Sequence, residues 1–467
     1  RAMGRRPSES ARGDLDRGCQ KGGFKEGFDA EVVAEIEALV GAGAVDGLDF
    51  EAIEMAARRR ALQIAGRAVA QRLNADHTDH VGPHASCPCG QLARYIERRS
   101  KTITTVLGPL RVSRAYYHCE ACQAGFFPRD RALGFSQASL SPAVTRMIGA
   151  CASMVSFQES HELLHDLAGV DANAKRVERT AEALGAEIAT DERAVVEVSG
   201  LSAPTLYLGM DGTGIPMRAE ALVGRDGKQP DGSSKTREVK LVTVWSAEGR
   251  DEDGIPVRDP GSVTYSAAIE SAAHRDVDET PSEFAQRVER EARRRGFEAA
   301  PRRVVLGDGA PWIWNLADEH VPGAIQIVDL FHAKQHLFDV AKAIYGATSD
   351  LGKQWGKQRR DELDDGNLDG VLAALRVHAA AADEARKCLD YFTRNRPRMR
   401  YPEFRAQGLC VSTGVVEAGC KVAIGTRCKR TGMHWTLAGA NAIIALRCCK
   451  LSGRFEDFWE RRSARTL

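Results

Sequence analysis

The sequence predicts a mixed α/β region followed by a long helical stretch, with helical and cysteine-bearing modules ahead of both. Three observations lead there. From Leu206 to Val328, short β-branched or apolar runs surround a helical pattern, which is how a sheet with helices packed on it reads. From Phe331 to about Arg400 the apolar residues recur at three- and four-residue steps with no strand texture. Upstream, two close cysteine pairs flank two alternating runs. A chain of 467 residues with 43% apolar content has material for several domains and a sizeable core.

Taken in order, residues 1–28 are rich in Gly, Arg, Ser and Asp with few apolar anchors, and read as a disordered lead. Residues 29–80 read as an N-terminal helical region, with Val32, Val33, Ile36 and Leu39, then Ile53, Ala56, Ala57, Ile64 and Ala68 at helical steps. Residues 81–135 hold Cys87-Pro88-Cys89-Gly90, alternation over Thr102–Leu107 and Leu110–Tyr117, and Cys119-Glu120-Ala121-Cys122. Residues 136–195 hold three helical blocks, Ser141–Met154, Phe157–Leu167 and Ala172–Ile188. Gly169 lies at the turn between the last two, and Asp171 is a candidate N-cap. Strands follow at Tyr207–Met210, Val239–Trp245, Val263–Ala267, Arg303–Leu306 and Ala324–Val328, with a helix over Ser282–Arg295. After the helical stretch, Gly414–Lys421 and Leu437–Leu451 read as two final helices.

A net charge of +1 with 28% charged residues favours no partner by itself. The charges are uneven, with eleven Lys or Arg against three Asp or Glu between Arg386 and Arg430. No apolar run approaches the ~20 residues that cross a bilayer, so a membrane partner is not expected. The N-terminal residues have no hydrophobic signal segment, so the expected compartment is cytoplasmic. There the 12 cysteines would be reduced, favouring a metal site over disulfides.

Three carboxylates stand out by their neighbours. Asp211 follows Leu206–Met210 and precedes Gly212-Thr213-Gly214, and Asp308 follows Val304-Val305-Leu306-Gly307 and precedes Gly309. Each reads as an acid at the carboxyl end of a strand, the edge of an open sheet where ligands bind, with glycines clearing space. Glu417 lies in an apolar helical stretch. Together they could hold two Mg²⁺ ions, which suit phosphodiester displacement. Locally, a strand-end Asp also serves as a helix cap, and a helix Glu as partner to an Arg. A phosphatase reading of Asp211-Gly212-Thr213 lacks the second aspartate it requires.

The blocks Tyr207–Met217, Gly307–Trp314, Ile327–Ala333 and Ser412–Lys421 resemble, in order, those of ISKra-type insertion-sequence transposases, which are related to Mutator-like enzymes. The resemblance spans about Cys87 to Trp459. It implies an RNase H-like catalytic core, a mixed sheet with flanking helices, carrying a DDE triad of Asp211, Asp308 and Glu417 with two Mg²⁺ or Mn²⁺ ions. The core would be split into 205–341 and 406–467 by an all-α insertion over 342–405. Asp329 and His332 match a supporting D-x-x-H motif that would position DNA, although an Asp capping its own helix explains the pair equally well. The implied activity is binding of terminal inverted repeats, DNA cleavage and strand transfer, by a homo-oligomer on the double-stranded DNA of a prokaryotic nucleoid. A catalytically inactive, sequence-specific DNA-binding relic is the alternative.

Cys87, Cys89, Cys119 and Cys122 read as a zinc-ribbon-like Zn²⁺ site, since two turn-borne pairs can supply four thiolates. The one-residue spacing of Cys87 and Cys89 is short, and His80, His84 or His118 could replace one ligand. Residues 136–195 read as a helix-turn-helix-like region, with Asn173, Lys175, Arg176 and Arg179 early in the helix that would enter the major groove. Arg398, Arg400, Lys421, Arg427, Lys429 and Arg430 are the candidates for tracking phosphates near Glu417. Trp312, Trp314, His434 and Trp435 would either stack on DNA or support the core.

Overall fold

In the computed structural model, the described residues are 33, 34, 37, 49–135, 139–194, 203–224, 227, 229, 232–273, 281–412 and 414–464. The lead expected over 1–28 and most of the first expected helix lie outside them. The chain forms two compact units, Arg1–Ser141 and Pro142–Leu467.

In the first unit, Asp49 caps helix α1 (Phe50–Ala75) by accepting from the Ala52 amide. A four-stranded antiparallel sheet follows in the order β1 (His84–Ser86), β2 (Leu92–Thr105), β3 (Gly108–His118), β4 (Gly125–Phe126), and then a short helix α2 (Pro128–Ala132). β2 begins well before the expected Thr102. The charged run Glu97-Arg98-Arg99 hides its alternation, and a bulge between Tyr95 and Glu97 breaks its period. Buried Asp79 ties the unit together, pairing with Arg98 at 3.0 Å and Arg129 at 3.1 Å and accepting from the Ala115 amide at 2.7 Å.

The second unit opens with α3 (Pro142–Met154), α4 (Phe157–Ala168) and α5 (Ala174–Ala194). Ser156 and Glu159 form a reciprocal capping box at the start of α4, and Gly169 ends it in the left-handed conformation at φ 65°. The expected cap Asp171 is corrected to Asn173, whose side chain accepts from the Arg176 amide at 2.9 Å. The buried face of α5 carries Val177, Ala181, Leu184 and Ile188.

A five-stranded mixed sheet comes next, from β5 (Thr205–Pro216), β6 (Thr236–Trp245), β9 (Thr264–Ala268), β10 (Arg302–Gly307) and β11 (Ile325–Val328). A separate ribbon pairs β7 (Gly249–Arg250) with β8 (Pro256–Val257). The main sheet runs β11-β10-β5-β6-β9. β10 is parallel to both its neighbours, and β6 is antiparallel to both of its own. Helix α6 (Glu283–Arg294), capped by Ser282, joins β9 to β10, and α7 (Pro311–His320) joins β10 to β11. The bounds of the five strands and of α6 differ by only a few residues from those read in the sequence, except that β5 continues through Asp211 to Pro216, whereas α7 was not read there.

Helices α8 (Leu330–Tyr345), α9 (Asp350–Asp364), α10 (Leu368–Ala379), α11 (Asp383–Asn395) and α12 (Tyr401–Ala406) follow without an intervening strand. The short α13 (Gly414–Gly419) runs into a wider π-helical turn, Cys420–Gly425, and then into α14 (Thr426–Cys428). The chain ends on α15 (Leu437–Leu451) and α16 (Phe455–Ala464). Gly185 of α5 meets α15 so closely that a Cβ there would lie 2.0 Å from the Ala442 carbonyl oxygen. Helices α3 and α5 pack on α15, and α4 packs on α3 and α5.

Side chains cover both outer strands of the main sheet. Along β11, the Tyr401 hydroxyl donates to the Val328 carbonyl at 3.1 Å, and Arg398 Nε donates to the Gln326 side chain at 2.6 Å. Along β9, Ser452 accepts from the Tyr265 amide at 2.9 Å, Arg454 donates to the Tyr265 carbonyl at 2.9 Å, and Asn441 accepts from the Ile269 amide at 2.8 Å.

Candidate functional site

β5 outruns its parallel neighbour. β10 stays in register with it only through Leu306↔Gly209 and ends at Gly307, while β6 continues beside it to Pro216. Asp211 therefore lies within a strand, not at its end as the sequence suggested. It is nonetheless beside the point where β10 stops, and Asp308 is the first residue past that point.

Glu417 reaches the same place on α13 because two glycines let that helix descend onto the sheet. A Cβ at Gly209 would lie 2.2 Å from Val416 Cγ2 and 3.0 Å from Trp245. A Cβ at Gly419 would lie 3.0 Å from Leu241. Side chains at either position would lift the helix. The result is a cavity of about 120 Å³ lined by Met210, Asp211, Gly307, Asp308, His332, Gln335, Val416 and Glu417. The three carboxylates thus come together from β5, the β10 end and α13.

No Lys or Arg lines the cavity, and its one basic side chain is His332. Burial pushes the Asp211 carboxyl above its ordinary value and the nearby Asp308 charge adds to this. Hydrogen bonds from the Cys420 thiol and the Gly212 amide (2.6 Å), and the charge of His332, work the other way. Hard carboxylate oxygens with no Lys or Arg among them are a donor set that fits a divalent cation. The three do not close tightly, however: among the described residues, only the four clustered cysteines form a group of three or more such ligands within 4.8 Å of one another.

Asp329 does not line the cavity. It is buried and caps α8, its carboxylate accepting from the Phe331 amide at 2.6 Å and the His332 amide at 3.0 Å. Of its two sequence readings, the cap is the one displayed, and it fixes the turn from which His332 enters the cavity. Gln335 was missed, although it follows His332 by three residues on the same helix face. The hold on Asp308 was also missed. Its carboxylate accepts from the Ala310 amide at 2.8 Å, Gly309 adopts φ +97°, and the carbonyls of Asp308 and Gly309 accept hydrogen bonds from α11.

In the first unit, Cys87, Cys89, Cys119 and Cys122 gather their sulfurs within 4.8 Å, and no His joins them. Cys87 and Cys122 sulfurs are 3.6 Å apart, and those of Cys89 and Cys119 are 3.7 Å apart. Tetrahedral Zn–S bonds of ~2.3 Å put sulfurs ~3.8 Å apart, so the cluster could hold a metal such as zinc. The short Cys87-x-Cys89 spacing suffices because Gly90, at φ +85°, closes a turn that returns its amide to the Cys87 carbonyl at 2.9 Å. The Cys122 backbone amide, together with the neighbouring thiols, brings the Cys119 thiol down to about 7.

Residues 92–457 match the uncharacterised protein family UPF0236. The chain belongs to UPF0236. Among curated proteins none matches it. Among solved structures it is similar to one described as "Drosophila P element transposase strand transfer complex", at 10% identity and a TM-score of 0.25, over 72% of this chain and 84% of that one. A likeness of that size carries no argument about fold or activity. The family match takes in every cavity residue together with Cys119 and Cys122, while Cys87 and Cys89 lie just ahead of it.

The basic residues of this UPF0236 chain divide by exposure. Lys175, Arg179, Arg400, Lys421, Lys429 and Arg430 are exposed, and Arg176 is half-buried. Lys175 pairs with Glu178 at 2.7 Å, Arg400 with Glu403 at 2.9 Å, and Arg430 with Glu159 at 2.7 Å, while Lys429 donates to the Thr213 hydroxyl. Two expectations need correction. Arg427 is buried, donating to the Ala152 carbonyl at 2.8 Å between Phe157 and Trp435, because the wide turn before it rotates it inward. Arg398 is half-buried, laid over Trp314 while bonding Gln326. Trp314 and Trp435 are buried supports, Trp312 is half-buried, and His434 is exposed. No described helix is long and apolar enough to cross a membrane.

Proposed function

We propose that this chain is a DDE-type transposase of the insertion-sequence kind. In that reading it binds terminal inverted repeats of double-stranded DNA, cuts the ends, and joins the freed 3′-hydroxyl to target DNA on a prokaryotic nucleoid. The observation that carries the reading is the single cavity on which Asp211, Asp308 and Glu417 converge with His332 and Gln335. The mixed sheet with helices packed on it supports an RNase H-like core, and the uninterrupted helices after residue 342 support an insertion ahead of Glu417. The motif blocks point to the ISKra type.

Asp211, Asp308 and Glu417 would hold two Mg²⁺ or Mn²⁺ ions. Such ions, when bound, sharpen the attacking oxygen and stabilise the leaving one. His332 and Gln335 would hydrogen-bond the scissile phosphate from the α8 side, and the Asp329 cap would keep that turn of α8 in place. Asn173, Lys175, Arg176 and Arg179 would read the repeat, with exposed Lys421, Lys429, Arg430 and Arg400 on phosphates. The cysteine cluster would hold Zn²⁺, and transposition would proceed in a homo-oligomer.

The test is nicking of a labelled transposon end by the full chain with Mg²⁺ or Mn²⁺. Asp211→Asn and Asp308→Asn should each reduce nicking to background. Undiminished cleavage in both variants would refute the assignment.

A further inference from the structure

Helix α11 belongs to the helical stretch, and its Tyr391 is 83 residues from Asp308 in sequence, yet it holds the loop that carries Asp308. The Tyr391 hydroxyl donates to the Asp308 carbonyl at 2.8 Å, and Asn395 Nδ2 donates to the Gly309 carbonyl at 3.4 Å. The ring of Tyr391 covers Gly309, where a Cβ would lie 2.4 Å from it. The ring also packs on His336 of α8, with centroids 4.4 Å apart. Burial raises the Tyr391 hydroxyl far above its ordinary value, so it remains a donor at any working pH.

We propose that Tyr391 and Asn395 are positioning residues for Asp308, so that the helical stretch sets how firmly the carboxylate cavity grips a divalent cation. This rests on the cavity being the metal site proposed above. Two donors on successive carbonyls fix the peptide that follows β10. Gly309 at positive φ turns the chain there, so the direction of the Asp308 carboxylate depends on where that peptide lies. Without the hydroxyl the loop is free to tilt, and a cation must supply the ordering that α11 now provides.

The experiment measures Mn²⁺ binding by the full chain and the Mn²⁺ dependence of nicking. Tyr391→Phe keeps the ring and removes the donor. It should raise the half-saturating Mn²⁺ about three- to tenfold, the effect of one net hydrogen bond, with most of the maximal rate recovered at high Mn²⁺. Tyr401→Phe is the control, because it removes a comparable hydroxyl that bonds Val328 rather than Asp308. Its half-saturation should stay within about twofold of the parent. An unchanged Tyr391→Phe, or an equal shift in both variants, overturns the inference. If the parent and Asp308→Asn bind Mn²⁺ alike, the reading of the cavity itself fails, and that result is distinct from the other two.

Discussion

Replacing Gly209 with alanine tests whether Glu417 owes its place to the bare backbone of β5. The added Cβ would stand 2.2 Å from Val416 Cγ2, with Trp245 at 3.0 Å and Thr243 at 3.2 Å closing the other sides. To regain the ~3.5 Å of ordinary carbon contact, Val416 must retreat by about 1.3 Å. Val416 adjoins Glu417 on the short α13, so the carboxylate moves with it. Overpacking of this kind costs ~1–3 kcal/mol of stability. A misplacement of ~1 Å at a reacting site can cost ~100-fold in rate. The expected result in single-turnover nicking with saturating Mg²⁺ is a rate loss of about that size, with a folded protein of lower melting temperature. Nicking within about twofold of the parent at an unchanged melting temperature would mean that Glu417 is not seated through this contact.

Three further outcomes follow from the geometry. Burial holds the folded Asp211 pKa above its unfolded value, so the site favours the neutral acid, and ionisation costs metal-free stability as pH rises through the folded value. Asp211→Asn should therefore raise the melting temperature of metal-free protein at neutral pH, with the gain vanishing below the unfolded value of ~3.9, as a calorimetric pH series would show. Purified protein should carry one zinc per chain by elemental analysis, and Cys119→Ser should lower that content and loosen the first unit, seen as faster amide exchange in β1–β4. Arg427→Ala should cost ~2–3 kcal/mol in denaturant unfolding because it strips a charged donor from the buried Ala152 carbonyl, whereas Lys421→Ala should leave stability unchanged and weaken DNA binding with a shallower salt slope.

Much of the sheet could be read in the sequence because its strands are nearly pure apolar runs. β6 from Val239 and β10 from Val304 are buried on both faces, and no other element competes for such runs. β2 was half-hidden because Arg98 and Arg99 occupy a strand whose partners, Asp79 and Tyr116, are remote in sequence. The placing of the N-cap at Asp171 failed on a local competition: Asp171 and Asn173 both suit the position, and only the observed start at Ala174 decides. Asp211 and Asp308 were legible through glycine and strand context, while Glu417 needed the motif resemblance, because its seat depends on Gly209 and Gly419 meeting residues on other elements. Arg427 misled for a related reason. A basic run reads as a solvated face until a wide turn rotates one member into the interior.

The side chains that cover β9 and β11 bear on how the chain leaves the ribosome. An unpaired strand invites addition of another strand, and these two are sealed by residues that come much later: Arg398 and Tyr401 for β11, Asn441, Ser452 and Arg454 for β9. Until those residues emerge, a nascent chain presents both borders of its sheet bare. A fragment ending before Leu437 should thus sediment as aggregates where the full chain stays dispersed, and chaperone demand should peak late in synthesis.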